Sequence, residues 1–153
     1  MLKLQVISKS KEETQALAAK IVRLLKPGSV VLLTGDLGAG KTTFVGGALK
    51  ELGYQDHVVS PTFNILKCYF EVKPNVFHID AYRLEDQNID IGLEEFLEGD
   101  GISFVEWPKF IESILPPETM TIKITRISDN ERQFEIFSDC EKYRSVFESL
   151  GAK

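Results

Sequence analysis

The residues most able to do chemistry stand close together near the amino end. In "LLTGDLGAGKTTFV", Gly35, Gly40, Lys41 and Thr42 satisfy the spacing G-x-x-x-x-G-K-[ST] in full. That pattern suits phosphate. Glycines let the backbone turn so that its N–H groups meet phosphate oxygens. A helix starting at the lysine adds about half a positive charge at its N-terminus. Lys41 is placed to reach the β- and γ-phosphates, and the Thr42 hydroxyl to meet Mg²⁺. The candidate nucleotide-binding residues are therefore Gly35, Asp36, Leu37, Gly38, Ala39, Gly40, Lys41 and Thr42.

Such a loop needs an acid for the metal and a group to orient a nucleophile. Two acids end apolar, strand-like runs. In "VFHID", Val76, His78 and Asp80 share one face at period two. In "ISFVEW", Glu106 closes the run. A glutamate there can ligate Mg²⁺ directly, act through water, or orient the attacking water. Open α/β sheets place ligands at such carboxyl ends. The segment "SPTFN", Ser60 to Asn64, adds Thr62, which can sense a γ-phosphate or reach Mg²⁺ through water, or simply stand in a turn at a strand entry. His78 reads as a hydrogen-bonded structural histidine and His57 as a loop residue.

The elements that must carry these groups follow from the pattern. "LKLQVIS" alternates like a strand. Ser10 and Glu13 form a capping box before a helix with Leu17, Ile21, Leu24 and Leu25 on one side, stopped by Pro27-Gly28. "SVVLLTG" is apolar on both faces, as a central strand is. A helix follows Lys41 to about Leu52. "NILKCYFEV" and "NVFHID" are joined too closely for a helical crossover, so they pair antiparallel. "LEDQNIDIGLEEFLEG" reads as a helix interrupted near Gly92, "GISFVEW" as a buried strand closed by Pro108. "TMTIKITRI" and "RQFEIFS" make a second hairpin, and "EKYRSVFESLG" a terminal helix. The expected fold is α/β: a P-loop NTPase-like three-layer arrangement with a mixed sheet, parallel in its centre and antiparallel at its flanks, in one domain over residues 1–153.

Composition narrows the partners. The chain has 153 residues and a formal net charge of −5. Its pI is about 5.1, and its lysines are scattered, so no basic face for gripping nucleic acid is expected. Cys68 and Cys140 form no metal cluster, and Cys68 reads as a buried thiol. No apolar run approaches membrane-span length and no leader pattern precedes Ser10, which gives the cytoplasm as the expected compartment.

Taken in order, "GDLGAGKTT", "SPTF", "HIDAYRL" and "GISFVEWP" make the chain resemble the bacterial TsaE (YjeE) family, from about Ser10 to Arg132. The resemblance implies a small Mg²⁺-dependent ATPase working beside a TsaB–TsaD complex. That machinery forms N6-threonylcarbamoyladenosine at position 37 of tRNAs reading ANN codons. TsaD performs the transfer, ATP hydrolysis by TsaE resets the complex, and tRNA is met indirectly. Residue by residue, it adds Thr43 beside Thr42 to the nucleotide-binding residues, makes Thr42 and Glu106 the magnesium ligands, sets Asp80 beside the metal or the water, and puts Thr62 in a switch-like segment. Trp107 matches a family tryptophan, and Arg132 a family arginine near the nucleotide. Tyr82 and Arg83 match "DxYR", where Arg83 would face a phosphate, the partner or a structural carboxylate. Two other classes remain open on the residues alone. A small-molecule kinase needs an arginine-bearing lid, and the five arginines here are dispersed. A nucleotide-gated binding protein with negligible turnover is the other. A GTPase would carry N/T-K-x-D, which is absent.

Overall fold

The computed structural model describes residues 1–36, 38–59, 61, 65–84 and 92–151, with Arg83 described by its main chain only. At its centre lies a seven-stranded sheet in the order β1-β7-β6-β2-β5-β4-β3. The strands are β1 (Leu2–Ser8), β2 (Val30–Thr34), β3 (Leu66–Tyr69), β4 (Val76–Asp80), β5 (Ile102–Glu106), β6 (Met120–Arg126) and β7 (Arg132–Ser138). β6, β2, β5 and β4 run parallel, while β7 and β1 on one flank and β3 on the other run antiparallel. The mixed sheet and both hairpins expected from the sequence are present.

Burial follows from that arrangement. β4 and β5 are buried along their whole length, because helical layers cover both faces. β7 alternates buried and half-buried residues, and β1 alternates half-buried and exposed ones, as flanking antiparallel strands do. On one face the sheet packs against α1 (Lys11–Leu24), α2 (Lys41–Glu51) and α4 (Arg144–Ser149), through Leu17, Ile21, Phe44, Leu49 and Phe147. On the other, Val30, Ile79 and Val105 meet Leu93 and Leu97 of α3 (Leu93–Leu97) and Ile111 of a 3-10 segment after β5. Among the described residues no helix is long and apolar enough to cross a membrane.

Local chemistry sets the helix ends. The Ser10 hydroxyl accepts from Glu13 N–H at 3.1 Å. Glu13 reaches back as expected, but its carboxylate accepts from Lys9 N–H, at 2.9 Å, one residue before the cap. α1 and α2 cross at Gly47. A Cβ there would lie 2.6 Å from Gln15 Cα and 2.8 Å from Gln15 O, both main-chain atoms that cannot swing aside. Gly47→Ala is therefore expected to lower stability by about 1–3 kcal/mol through forced separation of the helices. Urea unfolding checks this, and an unchanged midpoint would refute the tight crossing.

Three expectations need adjustment. β3 is four residues long rather than the nine of "NILKCYFEV". It begins after Ile65, whose φ of +66° breaks the extended run. Cys68 is half-buried, not buried, because β3 is the edge strand. The terminal segment starts as a 3-10 turn, Glu141–Tyr143, before α4. Of the long helix expected around Gly92, α3 is present, and residues 85–91 lie outside the described residues.

Candidate functional site

The site forms where β2, β4 and β5 end together. β2 delivers the chain into the glycine-rich loop, and Gly40 is the N-cap of α2. Gly35 has φ +144°, and a Cβ on it would stand 2.5 Å from the Ile124 carbonyl oxygen of β6. Only glycine allows the loop to leave the sheet so close to its neighbour. The first residue of α2, Lys41, points back beneath the loop. Its ammonium donates to the Gly35 carbonyl at 2.8 Å and lies 3.8 Å from Glu106 Oε1.

The two acids come from adjacent parallel strands. Asp80 and Glu106 are register partners across β4 and β5, and both are buried, 5% and 4% exposed. Alternation puts Val76, His78 and Asp80 on the face that packs against α2, as the period-two reading required. Asp80 Oδ1 accepts from Tyr82 N–H at 3.1 Å. His78 Nε2 lies 2.5 Å from Glu106 Oε2.

Burial pulls the Lys41 ammonium below the ordinary lysine value, while Glu106, Asp80 and Asp36 push it back up. Three carboxylates thus act on this lysine. Two acids at the ends of neighbouring strands suit a divalent cation. Among the described residues no group of three or more His, Cys, Asp or Glu makes a ready cage. Mg²⁺ does not need one, since it binds through one or two carboxylates together with phosphate oxygens and water. Asp80 and Glu106 supply two such carboxylates on adjacent strands.

Aromatic side chains wall the site. Trp107, held at φ +56°, places its ring 4.4 Å from Lys41 Nζ. Tyr82 and Phe110 pack against it at centroid distances of 5.1 and 6.3 Å. A cavity of about 320 Å³ lies beside Lys41, lined by Thr34, Asp36, Trp107, Lys109 and Lys123 among others. A second, of about 190 Å³, opens on the other side of the loop at Gly40, Thr43, Lys11 and Arg132. A cleft of about 860 Å³ runs along α2 past Thr42, Thr43 and Lys50.

Arg132 stands at the start of β7. Its Nε donates to the Ala39 carbonyl at 2.9 Å, and its Nη1 to the Ser128 carbonyl at 2.7 Å. The guanidinium clasps the loop to the β6–β7 turn while also lining the smaller cavity.

The structure therefore gathers Gly35, Asp36, Lys41, Asp80 and Glu106 around one ammonium, with Gly38, Ala39, Gly40 and Arg132 on the loop's outer side. Thr42 and Thr43 open onto the cleft. Leu37, Thr62 and the Arg83 side chain lie outside the described residues. Sequence reasoning missed three things. Lys109 and Lys123 carried no motif. The contact of His78 with Glu106 depends on strand register. The clasp of Arg132 on loop carbonyls joins segments far apart in the chain.

Comparison with known proteins gives the family and the fold. Residues 8–134 match the family described as "Threonylcarbamoyl adenosine biosynthesis protein TsaE". The tRNA threonylcarbamoyladenosine biosynthesis protein TsaE of Bacillus subtilis is 43% identical over 140 residues, covering 92% of this chain and 89% of that protein. The protein of the same name from Treponema pallidum is 37% identical over 135 residues, covering 87% and 99%. The crystal structure of Bacillus subtilis YdiB aligns with a TM-score of 0.84 at 36% identity, over 98% of this chain and 95% of that one. A complete phosphate loop, two acids at neighbouring strand ends and this agreement along nearly the whole chain lead to one conclusion: the chain belongs to the TsaE family of tRNA threonylcarbamoyladenosine biosynthesis proteins.

Proposed function

We propose that this chain binds ATP with Mg²⁺ and hydrolyses it in the service of threonylcarbamoyladenosine formation. The observation that carries the reading is the buried Lys41 of the glycine-rich loop set against Glu106, with Asp80 beside it. The loop from Gly35 to Thr43 wraps the phosphates with main-chain N–H groups, and Lys41 holds the β- and γ-phosphates. Thr42, Asp80 and Glu106 hold the metal. Bound there, Mg²⁺ supplies charge neutralisation at the β- and γ-phosphate oxygens. Glu106 also orients the attacking water, and Arg132 secures the outer side of the loop. Leu37 completes the phosphate wrap, and Thr62 senses the γ-phosphate.

In this reading the chain acts with TsaB and TsaD, which form the modified base at adenosine 37 of tRNAs reading ANN codons, in the cytoplasm. An acidic pI of about 5.1 suits a subunit that meets tRNA through proteins rather than by its own surface. Phosphate release tests the proposal. Asp80→Asn and Glu106→Gln are each expected to lower turnover about tenfold or more, a barrier increase of about 1.4 kcal/mol at minimum. Full activity in both variants would end the hydrolytic assignment. Release measured with and without purified TsaB and TsaD separates a slow ATPase from a nucleotide-gated binder. A chain of the second kind would turn over no ATP in either condition.

A further inference from the structure

His78 is fully buried, at 0% exposure. Burying a polar ring is unfavourable unless its nitrogens are met. Only one of them is. Nε2 lies 2.5 Å from Glu106 Oε2, while Nδ1 has no hydrogen-bond partner among the described residues. A carboxylate offers only acceptors, so Nε2 carries the hydrogen and donates. Among the described residues the ring's one hydrogen bond goes to a single oxygen.

Strand register makes that contact. His78 is paired with Phe104, two residues before Glu106 on β5. The imidazole and the carboxylate are thus diagonal neighbours on one face of the sheet. The other carboxylate oxygen, Oε1, lies 3.8 Å from the Lys41 ammonium. A glutamate with both oxygens unheld samples several rotamers, and fixing it in advance removes that entropy from the reacting complex. Here one oxygen is tied down from β4 and the other is left on the Lys41 side.

We propose that His78 is a positioning residue for Glu106: its Nε2–H holds one carboxylate oxygen so that the other stays presented to the phosphate side of the site. The inference rests on the hydrolytic reading of Glu106 given above. It concerns how well the acid is aimed, so it bears on turnover rather than on nucleotide affinity.

The test begins with phosphate release by the unaltered chain and by Lys41→Ala. If the unaltered chain, alone or with purified TsaB and TsaD, shows no Mg²⁺-dependent turnover that Lys41→Ala removes, the hydrolytic reading fails and this inference falls with it. With turnover established, His78→Leu is expected to lower kcat about tenfold or more, as loss of a supporting hydrogen bond does elsewhere. KM for ATP should stay within about twofold. His78→Gln, whose amide nitrogen extends to the place of Nε2, is expected to recover kcat to within about threefold of the unaltered chain. Normal kcat in His78→Leu, or a glutamine variant no better than leucine, would overturn the proposal in favour of simple packing. A second measurement does not depend on the His78 variants folding. Long-range ¹H–¹⁵N spectra of a chain with two histidines are expected to show His78 as the Nε2–H tautomer, with that resonance displaced in Glu106→Gln. A Nδ1–H tautomer, or a resonance indifferent to Glu106, refutes the contact.

Discussion

Replacing Lys41 with alanine is expected to lower ATP turnover at least about a hundredfold, or about 2.7 kcal/mol of barrier, and to weaken nucleotide binding together with it. The reason lies in the charge around the ammonium. Lys41 is 5% exposed and faces Glu106, Asp80 and Asp36. Without it, an incoming triphosphate would meet these carboxylates with no ammonium between them at the loop. Unit charges about 4 Å apart interact with about 4 kcal/mol at the effective dielectric of a protein surface, so the sign of the local field decides whether the phosphates enter at all. Lys41→Met is the matched control, because it keeps an unbranched side chain of similar length and removes the ammonium that lies over Trp107. Calorimetric titration with Mg–ATP, followed by phosphate release, reads both effects. Heat of binding and turnover equal to those of the unaltered chain would contradict the assignment of this lysine.

The largest loss of stability is expected at Phe44, three residues into α2. Its ring is fully buried. It meets Phe104 edge-on at a centroid distance of 6.3 Å and Phe134 at 6.0 Å. Those partners belong to β5 and β7, on either side of the β2–β6 pair, so one side chain ties the helix after the loop to two strands that flank the centre of the sheet. Phe44→Ala is expected to cost about 3–5 kcal/mol through lost burial and an unfilled cavity. That is a large part of the 5–15 kcal/mol or so by which a domain is usually stable, and it corresponds to a fall of about 10 °C in Tm. Phe44→Leu, which retains most of the volume, should lose much less. Thermal unfolding of the two variants decides the point, and equal melting temperatures for Phe44→Ala and the unaltered chain would mean that α2 is seated by other contacts.

Much of this architecture was legible in the sequence because local pattern and tertiary role coincide. The unbroken apolar run of "SVVLLTG" marks β2 as a strand covered on both faces, which it is. Alternation in "TMTIKITRI" and "RQFEIFS" marks a hairpin with one face in the core, which β6 and β7 form. Asp80 and Glu106 stood out as acids at the ends of apolar runs, and the sheet sets them side by side.

What was not legible depends on register and topology. Nothing local tells that β5 lies between β2 and β4, so nothing local places His78 diagonally from Glu106. The reading of His78 as hydrogen-bonded was right, but its partner was out of reach of spacing alone. Arg132 entered through family resemblance, and its contacts with the Ala39 and Ser128 carbonyls follow from a strand order that no window of sequence contains. The burial of Cys68 was overestimated because an apolar neighbourhood does not distinguish an edge strand from an inner one.

The insertion of β5 between β2 and β4 has a consequence for synthesis. The ribosome completes the glycine-rich turn long before residue 102 emerges. Until Ile102–Glu106 has slotted into the gap, β4 has no neighbour tying it to β2, and the lysine has no opposing glutamate. An unfinished or prematurely terminated polypeptide therefore carries the glycine-rich loop without the glutamate that faces its lysine in the finished sheet.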